Sequence, residues 1–292
     1  MYKRQGLERR PSWSEIRRTE VSQEDWPILR DEPNAFPLDV AEFSIGGGEW
    51  QGPLEILKVD DAVRRAMGLP ERGGRMVQPW AREKREGPVS QVRLVFRFDV
   101  EKLPSGPCHL VMERPERFRV KVNGNELDPD EDEGWWIDTS FKRLRVPAAY
   151  LRTGENRVEL EIEYGPEDGL ESLYFCGEFG VKWRRRRPVV TDLPNSLKLG
   201  DWTEQGFPCY SGSITYRATF AEDIGEGERL FVEVPSWEGT LIKIRVNGSP
   251  ATPLAWPPYE ADVTEYLQPG ENHLEVEVVS SCLLYTSPSP RD

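Results

Sequence analysis

The sequence predicts an all-β chain of two tandem β-sandwiches, with one short helix inserted in the first. Three observations predict it. Segments alternate apolar and charged residues with a period of two: Val158, Leu160, Ile162 and Tyr164 interleave with Arg157, Glu159, Glu161 and Glu163. That spacing puts one face of a strand on a core and the other in water. Twenty-five glycines and twenty-five prolines punctuate many short elements. Finally, one block of sequence occurs twice.

The 292 residues make one large domain or two ordinary ones. Ten Trp, nine Tyr and eleven Phe are enough to fill cores. A net charge of −13 without a large basic face argues against nucleic acid, because phosphate contacts need clustered cations. Two His and no closely paired Cys argue against zinc. No apolar run approaches the ~18 residues of a membrane span. No cofactor motif is present.

Both ends read as foreign. Residues 282–292 (CLLYTSPSPRD, with Cys282 just past the last expected strand) and residues 1–5 (MYKRQ) resemble translated reading frames of a transposase adapter used in DNA library preparation. They are set aside from the fold. They carry three basic residues and one acidic one, so the remainder has a charge of −15. Residues 6–35, with Trp13 and Trp26, are expected to be the exit from a preceding domain. A lost native start leaves the compartment open between secreted, periplasmic and cytoplasmic.

The first sandwich is expected over 36–190. FPLDVAEFSIGGGEWQ reads as a strand and a Gly-rich turn, and Gly46-Gly47-Gly48 lacks the spacing of a dinucleotide site. Residues 59–67 read as a helix, with acidic residues at its start and Gly68 just past its end. Residues 71–88 read as a loop. QVRLVFRFDV and HLVMERP are strands. The run Arg184 to Arg187, closed by Pro188, marks the junction between modules or a guarded strand edge. The second sandwich is expected over 191–281, opening with SITYRATF and RLFVEVP. Cys108, Cys176 and Cys209 are widely spaced and odd in number, which suits buried small apolar residues.

The repeat has a fixed skeleton. FRVKVNGNELD, WWIDTSF and YLRTGENRVELEIEY surround Asn123. IKIRVNGSPAT and YEADVTEYLQPGENHLEVEVVSS surround Asn247. Asn-Gly after an alternating strand favours positive φ and a tight hairpin. Gly154-Glu155-Asn156 and Gly270-Glu271-Asn272 turn the chain into a last strand. Asn123 to Asn156 spans 33 residues and Asn247 to Asn272 spans 25, so the copies differ by eight residues, expected in the central loop. Asn247-Gly248-Ser249 matches a glycosylation pattern, but as part of this hairpin it reads as turn chemistry.

YRATF, LFVEVPSWEGTLIKIRVNG and ADVTEYLQPGENHLEVEV resemble the sugar-binding β-sandwich of glycoside hydrolase family 2 and its relatives. The resemblance implies galactose-binding-like jelly rolls. The run 36–281, including GWWIDTSF, GLESLYFCGEFGV and LGDWTEQGFPCYSG, is similar to the β-rich C-terminal region of large bacterial glycosidases, nearest to the α-L-rhamnosidase family 106 group. It implies a non-catalytic accessory region of a glycoside hydrolase, with the missing catalytic domain of the same chain as its partner and a glycan as ligand. The catalytic acids then lie elsewhere, and no catalytic residue is assigned. The alternative is a stand-alone carbohydrate-binding or adhesin-type protein without enzymatic activity.

Pyranose C–H faces pack on aromatic rings while Asp and Glu take the hydroxyls. Three stretches offer both. One holds Trp135, Trp136 and Asp138, and its counterpart in the second copy holds Trp256, Tyr259 and Asp262. The third holds Trp202, Phe207 and Tyr210. Trp256 and Tyr259 are favoured, because Pro257 and Pro258 stiffen their loop. The competing reading is that these rings cover the sandwich ends or pack on the missing domain. A glycosidase needs two carboxylates facing one sugar, and among so many Asp and Glu their proximity in sequence is uninformative; Glu171 and Glu178, which flank or enter an apolar strand, read as a strand edge or salt bridge. Asp128, Asp130 and Asp132 resemble a calcium row, but Pro129 interrupts it and the position for a bidentate Glu is Thr139. A solvated loop is expected and no metal is assigned.

Overall fold

The structure, a computed structural model, describes residues 17–70 and 86–280. The two adapter-like ends, Trp13 and most of the loop 71–88 lie outside the described residues. Among the described residues, no helix is long and apolar enough to cross a membrane.

The described residues are all-β apart from one helix and short 3-10 turns. It opens with β1 (Trp26–Arg30), β2 (Asn34–Leu38), β3 (Val40–Ile45), β4 (Gln51–Glu55) and helix α1 (Ile56–Ala66). There follow β5 (Ser90–Val100), β6 (Cys108–Glu113), β7 (Arg119–Val122), β8 (Asn125–Leu127), β9 (Asp132–Trp136), β10 (Asp138–Val146) and β11 (Gly154–Tyr164). The first sandwich ends with β12 (Leu173–Gly177), β13 (Gly180–Arg184) and β14 (Arg187–Thr191). The second contains β15 (Ser196–Leu197), β16 (Ser213–Ala221), β17 (Phe231–Glu233), β18 (Leu241–Val246), β19 (Ser249–Pro250), β20 (Glu260–Asp262) and β21 (Glu271–Val279).

In the first sandwich, the layer β13-β14-β5-β11-β7-β8, with β3 and β4 attached at β5, faces the layer β2-β12-β6-β10-β9. Strands β5 and β11 pair along their full length, from Gly154 opposite Val100 to Tyr164 opposite Ser90. Their inward residues Leu94, Phe96, Phe98, Val158 and Leu160 are buried. Across the gap, Phe36 of β2 and Phe175 of β12 close on Phe98 at ring-centroid distances of 5.6 and 4.9 Å. Each ring removed from water contributes about 1.5–3 kcal/mol. Cys108 and Cys176 are buried in this layer, and burial pushes both thiols up to about 12, in keeping with a packing role.

In the second sandwich, among the described residues, β15-β1-β16-β21-β18-β19 faces the two-stranded β17-β20. The expected exit segment 6–35 thus contains a strand of this sheet: Ile28, Leu29 and Arg30 of β1 pair with Tyr216, Thr215 and Ile214 of β16. The first sandwich is therefore inserted between β1 and β15 of the second.

Both copies repeat one polar arrangement. Asn123 and Asn247 sit at φ 51° and 50°, followed by Gly124 and Gly248 at 82° and 79°, and these form the expected hairpin turns. Each Asn donates to the side-chain oxygen of the Asn that opens the last strand, Asn123 to Asn156 and Asn247 to Asn272, at 2.8 Å in both. Each hairpin Asn also donates to a tyrosine carbonyl, Tyr150 or Tyr266, and accepts from the amide after the second Asn, Arg157 or His273.

The helix was expected over 59–67 and spans 56–66 instead. Its cap is Glu55, whose carboxylate accepts from the amides of Leu57 and Lys58 at 3.0 and 3.4 Å. Glutamate is not among the favoured capping residues, which hid the first turn. Ile56, Val59, Asp60, Val63 and Arg64 are buried, the spacing of one helical face. Two of these are charged. Arg64 donates to Asp60 at 3.1 Å and to the carbonyls of Pro70 and Asp168. Asp60 also accepts from the Tyr164 hydroxyl at 2.7 Å and the Leu170 amide at 2.9 Å. This pair fastens the helix to the end of β11. Removing one member strands the other in low dielectric. Arg64→Ala is expected to lower unfolding free energy by about 3–5 kcal/mol in urea titrations, while exposed Arg65→Ala should change it by less than about 0.5 kcal/mol.

Candidate functional site

The favoured loop joins β19 to β20. It is tied down at both ends. Leu254 and Ile242 exchange backbone hydrogen bonds at 2.8 and 3.0 Å. At the other end, the Tyr259 carbonyl accepts from the Val234 amide at 2.9 Å, and the Tyr259 ring meets Trp237 edge-on at 5.4 Å. Between these anchors Trp256 stands 77% exposed. Asp262, expected beside it as a hydroxyl ligand, is engaged locally. It accepts from the Thr264 amide and hydroxyl at 3.1 and 2.6 Å and pairs with Arg229 at 3.1 Å.

In the first copy, β9 and β10 form a hairpin. Trp135 is 55% exposed. Trp136 turns the other way and is buried with Ala35, Val111 and Cys176, edge-on to Tyr174 at 6.0 Å. Asp138 accepts from the Ser140 amide and hydroxyl, both at 2.8 Å, and these bonds hold its carboxyl below the usual range. Asp138 and Asp262 each follow their hairpin Asn by fifteen residues, yet they sit in different places. Asp138 opens β10, whereas Asp262 closes β20 just before a 3-10 turn. The eight extra residues of the first copy thus lengthen β10 rather than a loop.

The third stretch splits likewise. Trp202 is half-buried and meets Tyr210 edge-on at 6.4 Å. Tyr210 is 5% exposed, and its hydroxyl lies 3.0 Å from the Asp31 carboxylate, 3.1 Å from the Ser213 carbonyl and 3.2 Å from the Glu32 amide, which donates to it. Asp31 also accepts from the Ser213 amide at 2.6 Å. Burial pushes the Tyr210 hydroxyl well above its ordinary pKa. The network ties the end of β1 to the start of β16. Gly212 is needed there, because a Cβ would lie 2.5 Å from the Tyr210 oxygen. Phe207 is fully buried beside Tyr210.

Trp202 and Tyr210 line a cleft of about 2650 Å³ between the two modules. None of the other seven predicted residues lines it, so the structure brings the nine together in no single site. The remaining candidates have structural roles. Glu178 accepts from Arg30 at 2.5 Å and so joins β1 to the region after β12. Asp128 and Asp132 accept from the Asp130 and Gly134 amides two residues on, as turn residues do. Among the described residues, no group of three or more His, Cys, Asp or Glu is arranged to hold a metal ion. Arg184 pairs with Glu101, and Arg187 with Glu155, at the β13–β14 hairpin.

No protein-family model matches the chain, and no curated protein does. Among solved structures, the chain is similar to a rhamnosidase from Novosphingobium sp. PP1Y at 19% identity over 69% of this chain and 19% of that one, with a TM-score of 0.28. A GH2 β-galacturonidase from Eisenbergiella tayi matches at 11% identity over 85% and 37%, with a TM-score of 0.30. A β-D-mannosidase from Dictyoglomus thermophilum matches at 11% over 87% and 31%, with a TM-score of 0.29. The chain spans between about a fifth and just over a third of these proteins' lengths. TM-scores this low define no shared site.

Tyr210→Phe leaves Asp31 and the Glu32 amide short of a partner. It is expected to lower unfolding free energy by about 1–3 kcal/mol, read by thermal or urea melts. Trp202→Phe, which keeps the edge contact, is expected to cost less.

Proposed function

We propose that the chain is an accessory, non-catalytic β-sandwich region of a larger glycoside hydrolase, packing on the catalytic unit and touching glycan through the Trp256 loop. One observation carries the reading: a tryptophan held 77% exposed on a loop pinned at Leu254 and Tyr259. An indole left in water on a pinned segment is a ready platform for the C–H face of a pyranose, and little ordering is lost on contact. Trp135 offers a second platform on the corresponding connection of the first copy. The sequence likeness of the repeated blocks to glycosidase sugar-binding sandwiches supports the choice of ligand. Asp138 and Asp262 are left out of the binding role, because both are engaged by the hydroxyl two residues on.

The test is glycan-array screening of the full chain, followed by titration of the best glycan against variants. Trp256→Ala is expected to weaken binding at least about tenfold, equivalent to about 1.4 kcal/mol, with an unchanged melting temperature. Retained affinity in Trp256→Ala and Trp135→Ala together, or no glycan bound at all, contradicts the proposal.

A further inference from the structure

The β13–β14 hairpin has two unlike faces. Its turn is Arg185 and Arg186, set between Arg184 and its cross-strand partner Arg187. On one face the cations are neutralised. Lys182 and Arg184 both reach Glu101, and Arg187 reaches Asp99 and Glu155. On the other face stands Trp183, opposite Pro188 and two positions on from buried Val181, yet 42% exposed. Trp183, Arg185 and Arg186 border the inter-module cleft, whereas Lys182, Arg184 and Arg187 do not. Among the described residues, neither Arg185 nor Arg186 has an ion pair or a side-chain hydrogen bond. The backbone at the tip carries a cost as well. Arg185 has φ 54°, the left-handed conformation that a two-residue hairpin turn demands and that Gly or Asn fills most readily. The repeat hairpins place Asn123-Gly124 and Asn247-Gly248 in their turns. An arginine is less favourable there than either, and no side-chain bond within the described protein offsets the difference. Such strain persists where a ligand clamp uses the side chain.

We propose that this hairpin tip binds an acidic glycan through a uronate unit. The Arg185 and Arg186 guanidinium groups take the carboxylate, and the Trp183 indole lies under the C–H face of the ring. A guanidinium fork matches the two oxygens of a carboxylate. The exposed indole beside it is a flat apolar platform, which favours a sugar acid over an acidic peptide. Two free cations facing outward in a chain of net charge −13 suit an anionic ligand and not a neutral one. The inference rests on the glycan-contacting reading above and adds to it a second contact and the charge class of the ligand.

The test is calorimetric titration of the full chain with pentagalacturonate and with its methyl ester, which keeps the rings and removes the charge. The acid is expected to bind. Esterification, or Arg185→Gly combined with Arg186→Gln, should weaken binding at least about fivefold. Trp183→Ala should weaken it at least about threefold. Arg185→Gly alone is expected not to lower the melting temperature, because glycine relieves the left-handed backbone, so binding lost in that variant is not folding lost. Equal binding of acid and ester, or unchanged affinity in the arginine and tryptophan variants, overturns the proposal. Equally tight binding of dextran sulfate that survives Trp183→Ala also overturns it, since the tip would then be a general polyanion contact. So does self-association, seen in sedimentation and lost in the double arginine variant, which would make a second copy the partner. Trp256→Ala separates this proposal from the reading it rests on. A neutral glycan bound through Trp256 with no pentagalacturonate bound overturns the hairpin site alone, and no glycan of either kind bound overturns both.

Discussion

The fold depends on a pair of hydrogen-bonded asparagine side chains in each copy, one half-buried at the hairpin and one fully buried at the start of a strand. At the hairpin, Asn123 uses both amide hydrogens, one to the Tyr150 carbonyl at 2.7 Å and one to Asn156, while its oxygen accepts from the Arg157 amide at 2.9 Å. Asn156 gives its hydrogens to Arg152 and Gly154, and its oxygen also accepts from the Arg152 amide. In the second copy Asn247 contacts Tyr266, Asn272 and His273, and Asn272 contacts Gln268 and Gly270, in the same pattern. Asn156 and Asn272 are fully buried. Both amides are saturated, so burial carries no unpaired polar group. The left-handed backbone at Asn123 and Asn247 is tolerable because asparagine visits that region more readily than most residues. The result is a polar rivet. It fixes the hairpin turn against the start of β11 or β21 and sets the register of three strands, a constraint that apolar packing alone enforces weakly.

With that rivet in place the rest can vary. The first copy has gained length in β10, an extra strand β9, and the covering pair β2 and β12. The second has a thin opposite layer and borrows β1 from ahead of the first copy. Insertion of one sandwich between β1 and β15 of the other couples the modules, through Arg30 with Glu178 and through Asn34 of β2, whose side chain donates to the Gly206 carbonyl. The wide cleft follows from the same asymmetry. Among the described residues, it lies where the second copy has no counterpart of the aromatic cover that Phe36 and Phe175 give the first.

Much of this was legible in the sequence. The period-two runs gave β5, β11, β18 and β21, and Val-Asn-Gly with Gly-Glu-Asn marked equivalent turns in both copies. The partners of those asparagines were not legible, because a bond between residues 33 or 25 positions apart leaves no local pattern. Strand β1 was missed for a related reason. Trp26-Pro-Ile-Leu-Arg30 is short, contains proline and pairs with a strand nearly two hundred residues away. Helix α1 began early because its cap is an unusual glutamate. For the candidate site, composition marked stretches rich in aromatic residues, but not which of the rings face water. Trp135 and Trp136 are adjacent and point opposite ways. Asp138 and Asp262 looked like ligands and are occupied by Ser140 and Thr264. Trp202 and Tyr210 share a cleft, yet Tyr210 is a buried tie between strands.

Double-mutant cycles on the four asparagines test the central claim most directly. Asn123→Ala and Asn156→Ala, alone and together, and likewise Asn247→Ala and Asn272→Ala, would be compared by urea unfolding. The account predicts a coupling energy of about 1 kcal/mol or more within each copy and near zero for the cross-copy pair Asn123 with Asn272. Additive effects within a copy would show that the paired amides do not act as one unit, and the rivet would be discarded.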